Sequence, residues 1–401
     1  MDGAARPPHG KDVALKLRIM ISCGEASGDL YAGALATELK RRVPDVEIVG
    51  FGGPRLRQAG GQLIGDFSRY SVTGLIESIA VMPRAAMMLW RLISAARRNR
   101  PDVFVPIDFP DFNFYLVGAL RRLGIPVVYY VSPQLWAWRP GRMKTMQAAV
   151  KRVLVIFPFE ERIYQEAGVD VRFVGHPLVD LARSTEPRAS FLAAQGLNPD
   201  APTVALLPGS RHNEVAQTIP AYVQAMTLIR ARVPGVQFTV ACAPQIEDAE
   251  FAPLSNTSGV PAPALVRDRT DDVIASADVA ITASGTATVQ CALHEKPMVV
   301  VYRLSPMTYR LGKRYVTVDM FAMPNLVAGE RIVPELIQDD FTPERVAAEV
   351  VSLLTDRARH ARTTEALRRV KAQLGESGAS GRAAEAVLDA AGRSAGGVQS
   401  A

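Results

Sequence analysis

The stretch Val204-Ala-Leu-Leu-Pro-Gly-Ser-Arg-His-Asn-Glu214 decides how the rest of the chain is read. Its apolar run, Val204 to Leu207, is continuous, as in a strand buried on both faces. Pro208 and Gly209 end the run. Past Asn213 the apolar positions Val215, Ile219, Tyr222, Val223 and Met226 recur at helical spacing. A strand is therefore expected to break at a Gly-Ser-Arg turn and feed a helix. Such a turn aims unpaired backbone N–H groups and the positive end of a helix dipole at one place, a ready seat for a phosphate. Arg211 adds a permanent, forked cation there. The plain alternative is an ordinary strand-to-helix turn with a solvated arginine.

The same unit recurs on both sides of this stretch. Leu17 to Cys23 reads as a strand that breaks at Gly24-Glu-Ala-Ser-Gly-Asp29 and enters a helix through Leu30, Leu35 and Leu39. The spacing is not Gly-x-Gly-x-x-Gly, so an NAD site is poorly supported. Further strands are expected at Val46–Gly50, Val103–Ile107, Val127–Val131, Val153–Phe157 and Arg172–Val174. In the second half they fall at Phe238–Cys242, Ala264–Val266, Val279–Ala283 and Met298–Tyr302. Strands alternating with helices predict an α/β fold, with parallel sheets, right-handed crossovers and helices on both faces. The polar stretch Arg183 to Arg188 marks a domain boundary. Ser284-Gly285-Thr286, at the end of one strand and the start of a helix, is a second candidate phosphate cradle. Asp108 ends another strand, and in a parallel sheet that end faces the ligand crevice. It falls where a general base would stand, with a local turn role as the plain alternative. Asp111 is a candidate cap for the helix that follows. Asn325 and Glu335 lie in a Pro/Gly-punctuated loop, and Phe341 to Asp389 is helical in period.

The chain has 401 residues, 48% of them hydrophobic and 21% charged, enough for two domains with a core each. A net charge of +6 favours anionic partners without choosing among phosphorylated ligands, lipid surfaces and nucleic acid. Cys23, Cys242 and Cys291 have no metal-ligand spacing, which argues against a disulfide framework and fits a reducing compartment. No apolar run is long enough to cross a bilayer. Residues 1–16 and 391–401 read as disordered, and no secretory signal core is visible, so the default is a cytoplasmic protein. The segment 72–98 interleaves Met87, Met88 and Trp90 with Arg84 and Arg91. It is either an amphipathic helix pair packed on the sheet or a surface helix dipping apolar side chains into a lipid headgroup layer. Trp136 and Trp138 lie in a loop, where they either close a core or wall a pocket.

Seven stretches, in order, carry a resemblance: Gly24-Glu-Ala-Ser-Gly-Asp29, Ile107-Asp-Phe-Pro-Asp-Phe-Asn113, Tyr130-Val-Ser-Pro-Gln-Leu-Trp-Ala-Trp-Arg139, Phe173-Val-Gly-His-Pro177, Leu206-Leu-Pro-Gly-Ser-Arg211, Ala283-Ser-Gly-Thr286 and Pro324-Asn-Leu-Val-Ala-Gly329. Together they resemble the lipid-A-disaccharide synthases, bacterial glycosyltransferases built from two facing Rossmann-like domains (the GT-B architecture). The resemblance implies domains at 17–183 for the acceptor and catalysis and at 189–360 for the UDP-sugar, with closing helices at 361–390 packed back on the first. It implies transfer of 2,3-diacylglucosamine from its UDP derivative to the 6-hydroxyl of 2,3-diacylglucosamine 1-phosphate, with inversion and with neither metal nor cofactor. The place of work would be the cytoplasmic face of the inner membrane, against an anionic lipid surface, and a homodimer is compatible.

By the same resemblance Asp108 is the base, and Glu25, Ser27 and Asp29 line the catalytic cleft. The donor diphosphate would meet Gly209, Ser210, Arg211, Ser284, Gly285 and Thr286, with Asn325 against the donor nucleotide or sugar. Met87, Met88, Trp90, Arg84 and Arg91 would face lipid. Gln290 stands where the family usually has Glu to hold the ribose hydroxyls, so restoring Glu there is expected to tighten UDP. A UDP-sugar 2-epimerase on the same fold and a non-enzymatic anionic-lipid-binding protein are the rivals. The first has no need of a lipid surface, and the second has none for two phosphate turns facing a carboxylate.

Overall fold

The computed structural model describes residues 16–67, 75–135, 140–255, 261–303 and 319–393, with backbone alone over 75–81 and at 140. Trp136, Trp138, both chain termini and the start of the 72–98 segment lie outside the described residues.

Short apolar runs that cannot leave either face in water become parallel strands sandwiched by helices. The first sheet holds β1 (Arg18–Ser22), β2 (Glu47–Gly52), β3 (Gln62–Asp66), β4 (Val103–Pro106), β5 (Val128–Tyr130), β6 (Arg152–Val155) and β7 (Val171–Phe173). Its order is β3-β2-β1-β4, then β5-β6-β7, joined through the parallel bridges Phe104–Val127 and Ile107–Tyr130. The second holds β8 (Thr203–Leu207), β9 (Gln237–Cys242), β10 (Ala264–Arg267), β11 (Val279–Ala283), β12 (Met298–Tyr302) and β13 (Glu335–Ile337), ordered β10-β9-β8-β11-β12-β13. Every pairing is parallel. Both sheets therefore reverse direction once, between β1 and β4 and between β8 and β11. At these switch points the loops diverge and leave a crevice.

Two-residue periodicity sends alternate side chains to opposite faces. Ile19, Ile21, Val103 and Val105 enter one apolar cluster, while Met20 and Phe104 enter another. In the second sheet Ala205 and Leu207 point to the first of these clusters, and Val204 and Leu206 to a third. The cluster shared by both sheets runs between them, so the halves are joined by continuous apolar packing.

The helices that frame the crevice and its surroundings are α1 (Ala26–Arg42), α2 (Pro54–Gln58), α3 (Leu75–Arg98), α4 (Pro110–Arg122), α5 (His212–Arg232), α6 (Thr270–Ser276), α7 (Thr286–Leu293), α8 (Met323–Ala328) and α9 (Ala379–Ala390). After the second sheet the chain returns to the first. Helix α9 packs on α1, where Arg42 pairs with Glu385 at 3.3 Å. His176 donates its backbone N–H to the Leu374 carbonyl at 2.8 Å, and Lys151 reaches the Ala390 carbonyl at 3.1 Å.

Some readings from sequence change here. From residue 75 onward the Met/Trp/Arg segment is one helix, α3, with Pro83 inside it, rather than a pair. Glu335 begins an edge strand and Asn325 lies in helix α8, instead of both lying in a loop. Asp111 sits inside the first turn of α4, behind Pro110, and pairs with Arg142 at 2.6 Å; the N-cap position belongs to Phe109.

Candidate functional site

Four loops meet at the two switch points: Gly24-Glu25 after β1, Asp108-Phe109 after β4, Gly209-Ser210-Arg211 after β8 and Ser284-Gly285 after β11. The first and third touch. Arg211 Nη2 donates to Glu25 Oε1 at 2.6 Å and Arg211 Nη1 to Glu214 Oε1 at 2.8 Å. One guanidinium thus bridges the two halves of the molecule. The Ser210 N–H also donates to Glu214, at 3.2 Å. Gly209 is required for this turn. Its φ is +116°, and a Cβ there would come within 2.6 Å of Glu214 Oε2. Burial works against the Arg211 charge, but Glu25 and Glu214 more than offset it and hold the guanidinium protonated.

Asp108 stands at the mouth of the first switch point in left-handed backbone (φ 44°), followed by Phe109 in the same region (φ 50°). Two consecutive non-glycine residues in that region are strained, at about 1–3 kcal/mol each. The surroundings hold them there. The Asp108 carbonyl accepts from Asn113 Nδ2 at 2.7 Å and from the Tyr129 hydroxyl at 2.9 Å. Asn113 is fully buried and accepts from Ser22 Oγ at 2.7 Å. The Phe109 ring lies against Gly24, where a Cβ would fall 2.3 Å from the ring. The Asp108 side chain is half-buried, near enough to Glu25 and Arg211 to feel both charges. Its pKa is pushed up to about 7, first by burial and then by the Glu25 charge, against the opposing pull of the Phe109 N–H and of Arg211. A carboxyl poised near neutrality beside a cleft has the properties of a general base.

Across the crevice Gly285 caps α7 with φ 148°. Ser284 Oγ donates to the Phe321 carbonyl at 3.3 Å, and Gly285 and the half-buried Thr286 present the helix start. Burial first, and then the nearby Tyr130 and Asp108, push the Tyr31 hydroxyl on α1 well up, against an opposing hydrogen bond with Thr286. Ser27 is half-buried in the first turn of α1.

Three expectations are corrected. Asp29 does not line the cleft with a free carboxylate. It is 1% exposed, and its two oxygens accept from the N–H groups of Gly53 (2.7 Å), Arg55 (2.8 Å) and Leu56 (3.1 Å). It satisfies the orphan donors that start α2. Asn325 is fully buried and saturated: Nδ2 donates to Val333 O and Glu335 Oε1, and Oδ1 accepts from the N–H groups of Ile332 and Val333. It has nothing left for a nucleotide and instead ties α8 to the strand beyond it. Met88 is 2% exposed and lies on the buried stripe with Leu92 and Ala96. Met87 and Trp90 do point outward, at 58% and 66% exposure, beside the exposed Arg84 and Arg91.

Sequence reasoning missed Asn113 and Tyr129 as supports for Asp108. Asn113 belongs to the Asp-Phe-Pro-Asp-Phe-Asn motif, and that was the available signal. It also missed Asp271, whose Oδ1 accepts from Gln290 Nε2 at 3.1 Å and contacts His294 Nε2 at 3.0 Å.

Comparison with known proteins shows the family and the fold. Residues 19–389 match a family model described as lipid-A-disaccharide synthetase. A lipid-A-disaccharide synthase of Geobacter sulfurreducens is 45% identical over 379 residues, 94% of this chain and 98% of that protein. One from Myxococcus xanthus is 43% identical over 372 residues, 93% of this chain and 97% of that protein. Among solved structures, a UDP-GlcNAc 2-epimerase from Neisseria meningitidis bound to UDP-GlcNAc superposes with a TM-score of 0.67 at 11% identity, covering 93% of this chain and 100% of that one. A calicheamicin glycosyltransferase gives 0.59 at 17% identity, covering 94% and 99%. At such identities the structural likeness speaks to the fold alone, which is that of GT-B glycosyltransferases and the epimerases related to them.

Proposed function

Because the chain belongs to the lipid-A-disaccharide synthase family, and so is a glycosyltransferase of lipid A biosynthesis on the GT-B fold, we propose the following reaction for it. The 6-hydroxyl oxygen of 2,3-diacylglucosamine 1-phosphate attacks C1 of UDP-2,3-diacylglucosamine. The bond from C1 to the β-phosphate oxygen breaks, UDP leaves and the anomeric centre inverts. Asp108 takes the hydroxyl proton. Arg211, with the N–H groups of Ser210, Gly285 and Thr286, holds the charge that develops on the departing diphosphate. Residues 17–183 serve the acceptor and 189–360 the donor, and the helices of 361–390 close the first domain.

One observation carries this reading: Arg211 and the Ser210 N–H already engage two carboxylates, Glu25 and Glu214, at a point shared with Asp108. A place that draws anions from both halves of the molecule suits a diphosphate. Incubation with both diacylated substrates is expected to release UDP and disaccharide, and EDTA is expected to leave the rate unchanged. Conversion of UDP-GlcNAc to its 2-epimer, with no transfer, would replace this reading by the rival on the same fold.

The enzyme works at a membrane surface. Among the described residues no helix is long and apolar enough to cross a membrane. The outer face of α3 carries Met82, Met87 and Trp90, joined by Tyr115 of α4, all more than half exposed and flanked by Arg84 and Arg91. Such a face suits insertion of apolar side chains with arginines at the headgroups. Met87→Ser with Trp90→Ser is expected to cut binding to anionic vesicles at high salt as well as low. Arg84→Gln with Arg91→Gln is expected to weaken it only at low salt, by about 1 kcal/mol per charge. Co-sedimentation across a salt series checks both. Vesicle binding indifferent to the Met/Trp pair would remove α3 as the contact.

A further inference from the structure

A glutamine at 290 leaves open which group recognises the donor's ribose. The first turn of α7 forms the second phosphate cradle, and Thr286, Gln290 and His294 follow one another at four-residue steps along one helix face. Gln290 therefore lies about 6 Å further along the helix than Thr286. A nucleoside diphosphate whose phosphates meet the helix start lays its ribose within that reach.

At this depth Asp271, from the first turn of α6, faces the α7 stripe. Its Oδ1 is fully engaged, by Gln290 Nε2 at 3.1 Å and His294 Nε2 at 3.0 Å. A carboxylate only accepts, so the histidine donates through Nε2. Gln290 has thereby turned its NH₂ toward Asp271 and its Oε1 away from it. Neither Asp271 Oδ2 nor Gln290 Oε1 has a protein partner among the described residues, and the Asp271 side chain keeps 21% of its surface exposed. Two adjacent acceptor oxygens, one of them charged, match a vicinal diol, which offers two donors.

We infer that Asp271, oriented by Gln290 and His294, supplies the carboxylate that binds the ribose diol of the UDP donor. This rests on the donor reading above. It also reverses the effect expected of Gln290→Glu. A Glu there would set a second carboxylate about 3 Å from Asp271, and like charges so close repel or share a proton. That substitution weakens UDP instead of tightening it.

Calorimetric titration with UDP and 2′-deoxy-UDP tests the inference. Wild type is expected to prefer UDP by about tenfold, the worth of a charge-assisted bond. Asp271→Asn loses about tenfold for UDP and little for 2′-deoxy-UDP, so the preference collapses. Gln290→Glu weakens UDP, and the double change Gln290→Glu with Asp271→Asn, which moves the single carboxylate from one helix to the other, restores it. Unchanged UDP affinity in Asp271→Asn, or an equal loss for both nucleotides, would overturn the assignment and leave the diphosphate site standing. A wild-type protein that binds neither nucleotide would overturn the donor reading itself.

Discussion

Asp108→Asn is expected to lower kcat by about 10²–10⁴-fold, the usual worth of a positioned base, with UDP affinity nearly unchanged. The amide keeps the size and most of the polar contacts but cannot take a proton. The backbone strain at Asp108 and Phe109 is held by Asn113, Tyr129 and Gly24, none of which the substitution touches. The fold should therefore survive, and the loss should appear in kcat, not in melting temperature. The pH profile gives a second readout. A base with its pKa near 7 is inactive when protonated, so kcat/KM should rise with pH through about 7 and level off above it. Glu25→Gln removes the neighbouring like charge, so the Asp108 pKa falls and the acid limb moves to lower pH. Arg211→Ala removes a cation, so the limb moves the other way. An Asp108→Asn enzyme with near wild-type kcat at saturating acceptor would end the assignment.

Arg211→Ala carries the second large effect. A charge-assisted bond to phosphate is worth about 1.5–3 kcal/mol, or roughly tenfold to more than a hundredfold in UDP affinity. In the free protein the same guanidinium is held by Glu25 and Glu214, so UDP binding exchanges partners for it. That pair is about two-fifths exposed on each side (45% and 41%). Such pairs contribute only about 0.2–1 kcal/mol, and the exchange still favours a diphosphate. Alanine removes the cation and leaves two carboxylates facing the incoming phosphates, which places the loss toward the upper end of the range. Arg211→Lys recovers part of it, because the point charge returns without the fork. Glu25→Gln should tighten UDP by a few-fold, since the competing carboxylate is gone. Titration of UDP into the three variants tests the order: Ala weakest, Lys intermediate, Gln at 25 tightest. Equal affinity in Arg211→Ala and wild type would mean that the arginine only ties the halves together.

Much of the fold was legible along the chain because its causes are local. A continuous apolar run of four to six residues, stopped by Gly or Pro and followed by helical spacing, has one low-energy outcome: a strand buried on both faces, turning into a helix. Repetition of that unit implies a parallel sheet and places each turn at a strand's C-terminal end. Asp108, Arg211 and Ser284 to Thr286 were found on that basis. The elements missed were those with little local signal. Gln62–Asp66 is a half-exposed edge strand rich in residues that disfavour strands, and Glu335–Ile337 is three residues long.

What a polar side chain does depends on which atoms lie within about 3 Å of it, and chain order does not carry that distance. Glu25 and Arg211 are 186 positions apart, yet they form the tie across the cleft. Asp29 and Asn325 belong to motif stretches as Asp108 does, but they stand on α1 and α8, the fold brings unpaired backbone N–H groups to both, and a buried donor left unmatched costs about 1–3 kcal/mol. Each became a strut for that reason. Met87 and Met88 are neighbours of one type, and 100° of helical rotation sends one to solvent and the other to the core. The residue type at 290 announced a missing carboxylate, and only the packing of α6 against α7 revealed where another one stands. The sequence by itself determined two parallel-sheet domains and the turns at their crevices. The tertiary structure decided which turns meet and which carboxylates remain free to act, because hydrogen bonds and charges respond to distance through space.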